Sequence, residues 1–296
     1  IDRSRGLGDV YKRQSSTLSK KTSEIDMIKQ TLGKKLVGLF DNCIAHSPLE
    51  NVIECAKKVQ KTSPDIIITI GGGTPIDTVK VVQLCYSLGI TSPDDLKKIA
   101  NKHQKIKSKI RQIAIPTTLS GGEYSIIGGA MDTKIQLKER YTGDDLCPQV
   151  VILDPVITLH TPDWLWLSTA IRSVDHAVEG LCSNSSNPLM PPMALNSLQL
   201  FANSLRNTYK KRDDIVSRSL SQKAVWMIAK NLGNTPMGAS HGIGYLLGSI
   251  GSVPHGYTSC VMLPAVLKWN ESYNQDKQKW IANALGRPKL SASEAV

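Results

Sequence analysis

The sequence predicts an α/β chain in two parts, a layered α/β domain followed by an all-helical domain. Three observations lead there. Short, wholly apolar runs alternate with amphipathic stretches through the first half. Two of these runs open directly into turns of glycine and hydroxyl residues. After Pro162 the strand pattern stops and only helical spacing remains. Strands alternating with helices indicate a parallel sheet covered by helices, and a strand buried on both faces reads as an unbroken apolar run.

In chain order, "PLENVIECAKKVQKT" predicts an amphipathic helix, with Val52, Cys55, Ala56 and Val59 on one stripe. "DIIITI" is a buried strand. "PIDTVKVVQLCYSLG" is a helix closed by Gly89. "SPDDLKKIANKHQ" is another, with Ser92 as N-cap and Pro93 just inside it. "QIAIP" and "QVVILDP" are further short strands. "DWLWLSTAIRSVDHAVEGLC", "MALNSLQLFANSLRNTY", "DDIVSRSLSQKAVWMIAKNLG", "HGIGYLLGSIG" and "SCVMLPAVLKWN" then follow with helical spacing. No internal repeat or low-complexity segment interrupts them. A ligand is expected in the cleft between the two domains.

Composition narrows the class. The 296 residues suffice for two domains, and 41% hydrophobic content allows a sizeable core. No apolar run reaches the roughly 18 residues of a membrane-spanning helix, so no membrane partner is expected. Six cysteines (Cys43, Cys55, Cys85, Cys147, Cys182, Cys260) lie scattered without a CxxC pair. That pattern fits reduced thiols and a cytoplasmic protein. The net charge of +11 includes +2 from the first 14 residues (Arg3, Arg5, Lys12 and Arg13 against Asp2 and Asp9), leaving +9. The lysines are dispersed and no aromatics interleave them, so nucleic acid is not an expected partner. Attraction of anionic cofactors and acidic substrates accounts for the sign, as does a merely solvated charge excess.

Three motifs bear on chemistry. In "DIIITIGGGTPIDTVK" a strand runs through three glycines into a helix, where close backbone approach and unpaired N–H groups suit phosphate oxygens. It is not GxGxxG, and a simple tight turn is the other reading. In "IAIPTTLSGGEYS" a second strand leads to Thr117, Thr118 and Ser120, hydroxyls able to bond a ribose, phosphate or base. Two such loops after strands of one sheet point to nucleotide binding at the carboxyl ends of the strands. Third, His176, His241 and His255 fall in the helical part, each otherwise readable as a satisfied core histidine. In "IRSVDHAVEG", Arg172 and His176 lie one turn apart on a helix face. A carboxylate at the first position would make a metal-ligand pair; a guanidinium cannot ligate a cation.

Taken with "VVILDP", "DHAVEGLCSNSSNP" and "SHGIGYLLGSIGSVPHGYTSCVMLPAVLKWN", these motifs resemble the iron-containing alcohol dehydrogenase family, in its maleylacetate reductase-like branch. The likeness runs from about residue 24 to the end. It implies a Rossmann-like nucleotide-binding domain and an all-helical C-terminal domain of dehydroquinate synthase-like fold. The reaction implied is hydride transfer between NAD or NADP and a carbonyl or alcohol. By that resemblance Gly71, Gly72, Gly73, Thr74 and Asp77 line the pyrophosphate and nicotinamide side of the cofactor, and Thr117, Thr118 and Ser120 flank it. Metal-dependent members use one aspartate and three histidines, which map onto Arg172 and onto His176, His241 and His255. Tyr245 stands where many relatives place another histidine.

The departures set the expectation for the site. Beside Arg172 an Fe2+ or Zn2+ ion would lose an anionic ligand and meet a like charge, at a cost on the order of 4 kcal/mol at about 4 Å and an effective dielectric of about 20. Three histidines alone still suffice for zinc. Asp175 points about 100° from His176 around a helix and is not expected to substitute. Arg172 is expected instead to bind a substrate carboxylate or polarise a carbonyl, with Tyr245 or a histidine supplying the proton. An internal ion pair of Arg172 with Asp175 or Glu179 is the competing role. The rival functions are a metal-dependent alcohol dehydrogenase with a three-histidine site, and a non-catalytic nucleotide-binding relative or inactive fragment. A homodimer is one assembly the resemblance allows.

The opening "IDRSRGLGDVYKRQ" resembles read-through of a sequencing adapter. The expected division is therefore a non-native leader at 1–14, an α/β domain at 15–160 lacking its first strand, and a helical domain at 161–296. The tail "NALGRPKLSASEAV" is expected to leave that last domain incomplete.

Overall fold

The structure, a computed structural model, describes residues 10–14, 22–230, 235–251 and 253–296, without the side chains of 10–14, Ser249 and His255. The chain forms two compact units. The first holds residues up to Thr117 with Gly122–His160; the second holds Thr118–Gly121 with Thr161–Val296.

The first unit carries strands β1 (Val10–Gln14), β2 (Leu36–Phe40), β3 (Ile66–Gly71), β4 (His103–Gln104), β5 (Arg111–Pro116), β6 (Ile127–Asp132), β7 (Leu137–Gly143) and β8 (Val150–Val151). Its helices are α1 (Glu24–Leu32), α2 (Leu49–Thr62), α3 (Gly73–Leu88) and α4 (Pro93–Lys98). Five strands form a parallel sheet in the order β2-β1-β3-β5-β8. Alternation along β3 sorts its side chains to the two faces. Ile67 packs under α2 and α3 with Val52, Val59, Val79 and Val82. Ile68 and Ile70 face the other way, toward Ile25 of α1 and Ile157. On the α3 face a polar pair is buried: Gln112 Nε2 donates to Thr69 Oγ1 at 2.9 Å, while Gln112 Oε1 has no partner among the described residues.

The apolar runs at β3 and β5 and the helices α2 and α3 stand where the sequence pattern puts them. Gly89 caps α3 in the left-handed conformation (φ +69°), and the Ser92 side chain accepts from Asp95 N at the start of α4. Other elements depart from expectation. A strand lies at Val10–Gln14, paired in parallel on both sides, where residues 1–14 were expected to be outside the fold and the first strand missing. Its sequence, Val-Tyr-Lys-Arg-Gln, has no apolar run to announce it. What inserts it is the backbone ladder between β2 and β3, which any non-proline sequence can supply. The remaining residues of that leader lie outside the described ones.

Helix α4 stops at Lys98, short of the predicted "ANKHQ". Asn101 takes a left-handed conformation (φ +58°), its N–H donates to Arg140 O at 2.8 Å, and the chain turns into β4 beside β7. The antiparallel pair β6–β7 has no counterpart in the predicted elements, because β6 is glycine-rich. Gly128 explains part of that composition: a Cβ there would come within 3.0 Å of Asp77 O and of Val81 Cγ2 on α3. "QVVILDP" yields only the two-residue β8.

The second unit consists of α5 (Asp163–Cys182), α6 (Met190–Lys210), α7 (Ile215–Ala229), α8 (Ala239–Ile250), α9 (His255–Trp269), α10 (Gln275–Ala284) and the short α11 (Ala292–Ala295). Helix α5 is its axis, packing against α6, α7, α8, α9 and α10. Being surrounded, it buries most of its length, and Trp166 lies beneath the Arg218 guanidinium at 4.5 Å from ring centroid. No helix among the described residues is long and apolar enough to cross a membrane.

The two-sided pairing of β1 gives the first test. Removing residues 1–14 is expected to lower the unfolding midpoint and to strip hydrogen-exchange protection from the β2 amides; an unchanged exchange pattern would show that this strand contributes nothing.

Candidate active site

The glycine turn forms at the carboxyl end of β3. Gly71 ends the strand, Gly72 caps α3 without any side-chain bond, and Gly73 and Thr74 open the helix ahead of Pro75. The amides of Gly73 and Thr74 lie in the first turn, where helical carbonyls do not reach. The neighbouring loop leaves β5 alongside, with Thr117 N donating to Gly71 O at 3.0 Å. Three predicted features, the glycines, Asp77 and Thr117, thus belong to one end of one sheet.

A residue outside the predicted set organises this end. Lys80, wholly buried, directs its ammonium to Gly122 O at 2.5 Å and Ile127 O at 2.9 Å, with Asp77 Oδ1 at 3.5 Å. It fixes the loop before β6 against α3 and holds Asp77 near the turn. Glu123 is buried there too, and burial pushes its carboxyl up to about 7.

Thr118 and Ser120 group with the second unit. Their hydroxyls lie 3.1 Å apart. Leu119 between them is pinned to α5, its N–H donating to Thr169 Oγ1 at 3.1 Å and its carbonyl accepting from Ser173 Oγ at 2.5 Å.

The polar heart of the second unit is a stripe on α5. Arg172, Asp175, His176 and Glu179 recur at i, i+3, i+4 and i+7, the spacing that lines one helix face, and all four are buried. Asp175, which was not expected to substitute for the missing ligand carboxylate, nevertheless lies on the same buried stripe. Neighbours 100° apart still flank one stripe when it is as wide as this one. Nor does Arg172 form the direct ion pair that was its competing role. Its Nη1 donates to Ser259 Oγ of α9 at 3.1 Å, and Ser259 Oγ donates to Asp175 Oδ2 at 2.6 Å. A hydroxyl relays the charge.

Glu179, named in the sequence only as a possible partner of Arg172, is the carboxylate that organises this end of the stripe. Its carboxylate caps α8: Oε1 accepts from Ser240 N at 2.7 Å, and Oε2 from Gly238 N at 2.9 Å and His241 N at 3.3 Å. Oε2 also meets His241 Nδ1 at 2.6 Å, while Asp175 Oδ2 lies 3.3 Å from the same nitrogen. Gly238 makes room, since a Cβ there would meet Glu179 Oε1 at 2.8 Å. The signal available in the sequence was its place three residues past His176 on a stripe that already held two charges.

The charges respond to this arrangement. Burial pulls the Arg172 pKa down while Asp175 and Glu179 hold it up. Burial pushes the Asp175 carboxyl above its ordinary value, against the pull of His241. Burial also opposes ionisation of Glu179, yet the His241 bond, its charge and the amides of Ser240 and Gly238 outweigh it and hold the carboxyl below the usual range.

His176 and His241 stack with centroids 4.7 Å apart and planes 26° from parallel. Tyr245, half-buried, follows one turn along α8. His255 opens α9, and its side chain lies outside the described residues.

Asp175, Glu179 and His241 bring three potential ligand atoms within 4.8 Å of one another, but they do not fit a divalent ion. Ligands about 2.1 Å from a tetrahedral centre stand roughly 3.4 Å apart, whereas His241 Nδ1 and Glu179 Oε2 are at hydrogen-bond distance, 2.6 Å. Both Glu179 oxygens are already committed to N–H donors. The buried guanidinium of Arg172 lies on the same stripe as Asp175 and Glu179.

The comparisons agree with this architecture. Residues 14–155 match the family model described as iron-containing alcohol dehydrogenase, and residues 167–296 match that of the C-terminal part of the Fe-containing alcohol dehydrogenase family. The chain is 31% identical to dehydrogenase ALT3 of Alternaria alternata, over 93% of this chain and 79% of that protein. It is 27% identical to a maleylacetate reductase of Burkholderia cepacia, over 90% of this chain and 68% of that protein. The crystal structure of maleylacetate reductase from Rhizobium sp. strain MTP-10005 superimposes with a TM-score of 0.81 at 22% identity, covering 98% of this chain and 74% of that one.

The depressed Glu179 carboxyl gives a pH prediction with a definite sign. Its stabilisation is complete above the ordinary Glu value of about 4.3 and is lost as the pH falls through its lower folded value. Glu179→Gln is expected to cost about 1–3 kcal/mol at neutral pH, with the gap to wild type closing in acid below the ordinary Glu range. Denaturant unfolding of both proteins at the two pH values measures it.

Proposed function

This chain belongs to the iron-containing alcohol dehydrogenase family, in its maleylacetate reductase-like branch, and from that premise we propose that it reduces the carbonyl of an acidic substrate without a metal ion. Members of the family are NAD(P)-dependent oxidoreductases, so the reaction class and a small-molecule carbonyl or alcohol substrate follow from membership. The assignment of residues, the acidic substrate and the metal-free site are the proposal.

One observation carries it. Of the five guanidinium N–H donors of Arg172, one is spent on Ser259 among the described residues. The others remain for a substrate carboxylate or for the oxygen of a carbonyl. A buried guanidinium so placed supplies a fixed positive charge where negative charge gathers on the substrate oxygen, the role a Lewis-acidic ion would otherwise serve.

On the first unit, the amides of Gly73 and Thr74 and the open backbone of Gly71–Gly72 suit the cofactor pyrophosphate. Asp77, Thr117, Thr118 and Ser120 offer further polar contacts to the nicotinamide and ribose. The cofactor, when bound, would supply hydride to the carbonyl carbon, and the oxygen that receives the C=O pair would take a proton from Tyr245, or from His241 in the form that carries a proton on Nε2 as well. The products are an alcohol and oxidised cofactor. His176 and His255 complete the set of side chains proposed around the reacting group. A homodimer is the proposed assembly, on the likeness alone.

Consumption of NADH or NADPH with short keto acids, compared with neutral ketones of equal size, tests the reading. Arg172→Ala is expected to lose at least ~10²-fold in kcat/KM on the acids, within the range for deleting one charge-stabilising donor, and much less on neutral ketones. Full turnover is expected after exhaustive chelation. Stoichiometric iron or zinc, lost together with activity, would favour the metal-dependent alcohol dehydrogenase instead; cofactor binding without turnover of any carbonyl would favour a non-catalytic relative.

A further inference from the structure

We infer that Glu179 is a positioning residue that keeps the proton of neutral His241 on Nδ1, so that Nε2 is the bare nitrogen offered to substrate. The inference deepens the proposed function, and rests on it for the identity of the group that Nε2 meets.

The geometry leaves one arrangement of protons. Glu179 gathers N–H groups from the first turn of α8 on both oxygens, a seat that only an acceptor can fill. With the carboxylate so committed, the imidazole nitrogen at 2.6 Å must be a donor, because a lone pair facing an anionic oxygen at that distance is repelled. Asp175 Oδ2, the second group within reach of Nδ1 at 3.3 Å, already accepts from Ser240 Oγ at 2.8 Å and Ser259 Oγ at 2.6 Å. It too meets Nδ1 as an acceptor. Nothing on α5, α8 or α9 among the described residues competes for the proton of Nδ1.

The other end of the ring is different. His241 is 9% exposed, and its Nε2 is buried with no hydrogen-bond partner among the described residues. A buried polar nitrogen left unpaired costs about 1–3 kcal/mol, and such an atom marks a place where a ligand group is missing. The ring cannot swivel to relieve it, being stacked on His176 and tied by Nδ1. A carboxylate behind an imidazole fixes its tautomer and orientation in the same manner wherever a histidine must present one chosen nitrogen. Glu179 touches neither cofactor nor substrate in this scheme; it acts through His241.

Nitrogen NMR of the full chain labelled at histidine tests this without any turnover, with the His241 signals identified by their loss in His241→Gln. The expected spectrum shows a protonated Nδ1 and a bare Nε2 in the neutral ring. Wild-type protein with the proton on Nε2 would overturn the inference, whether or not any variant folds. In Glu179→Gln the tautomer preference is expected to weaken and kcat to fall about 10–100-fold, with KM for NAD(P)H unchanged and partial recovery in Glu179→Asp. A Glu179→Gln protein that keeps both the Nδ1–H spectrum and full kcat would also overturn it. Absence of reductase activity in wild type, with the Nδ1–H spectrum intact, would sink the proposed function and leave this inference standing.

Discussion

Three backbone N–H groups from the start of α8 converge on the Glu179 carboxylate, and the His241 ring meets it through Nδ1 at 2.6 Å. Much of the second unit's chemistry follows from that seat. The start of a helix carries partial positive charge, and a carboxylate reaching it from another helix joins the two elements while its own pKa is held below the ordinary value. Because α5 delivers Glu179 on the same stripe as Arg172, Asp175 and His176, the rotation of one helix sets the position of every charged group. Gly238 lies where a side chain would collide with the carboxylate, so even the absence of an atom at that residue belongs to the seat.

Buried charges are costly unless each has a partner, and here the partners run in a chain: guanidinium to hydroxyl, hydroxyl to carboxylate, carboxylate to imidazole. Arg172 brings the positive charge that offsets the carboxylates of the stripe. An aspartate at position 172 would add a third anion to the stripe, whereas the guanidinium lies there as the counter-charge.

Much of this could be read in the sequence where local pattern and burial coincide. The apolar runs at β3 and β5, the glycine turn and the Gly89 and Ser92 caps are local features, and each was legible. So were Arg172, His176 and His241, through helical spacing and motif likeness. What escaped was non-local. Strand β1 owes its place to ladder partners on both sides rather than to its own side chains, and the β6–β7 pair hides behind glycines that exist to let β6 approach α3. Glu179 was legible in the sequence only as a candidate ion-pair partner of Arg172. Only the arrival of α8, some sixty residues later in the chain, gives it donors.

Lys80 shows a quieter constraint of the same origin. Its ammonium is the point at which two loop carbonyls and a helix carboxylate meet, and the stem that carries it is rooted in α3. Four methylene groups therefore act as a ruler, setting how far the loop before β6 stands from the glycine turn. A longer head group or a shorter stem would leave the charge in place and change the gauge of the opening it measures.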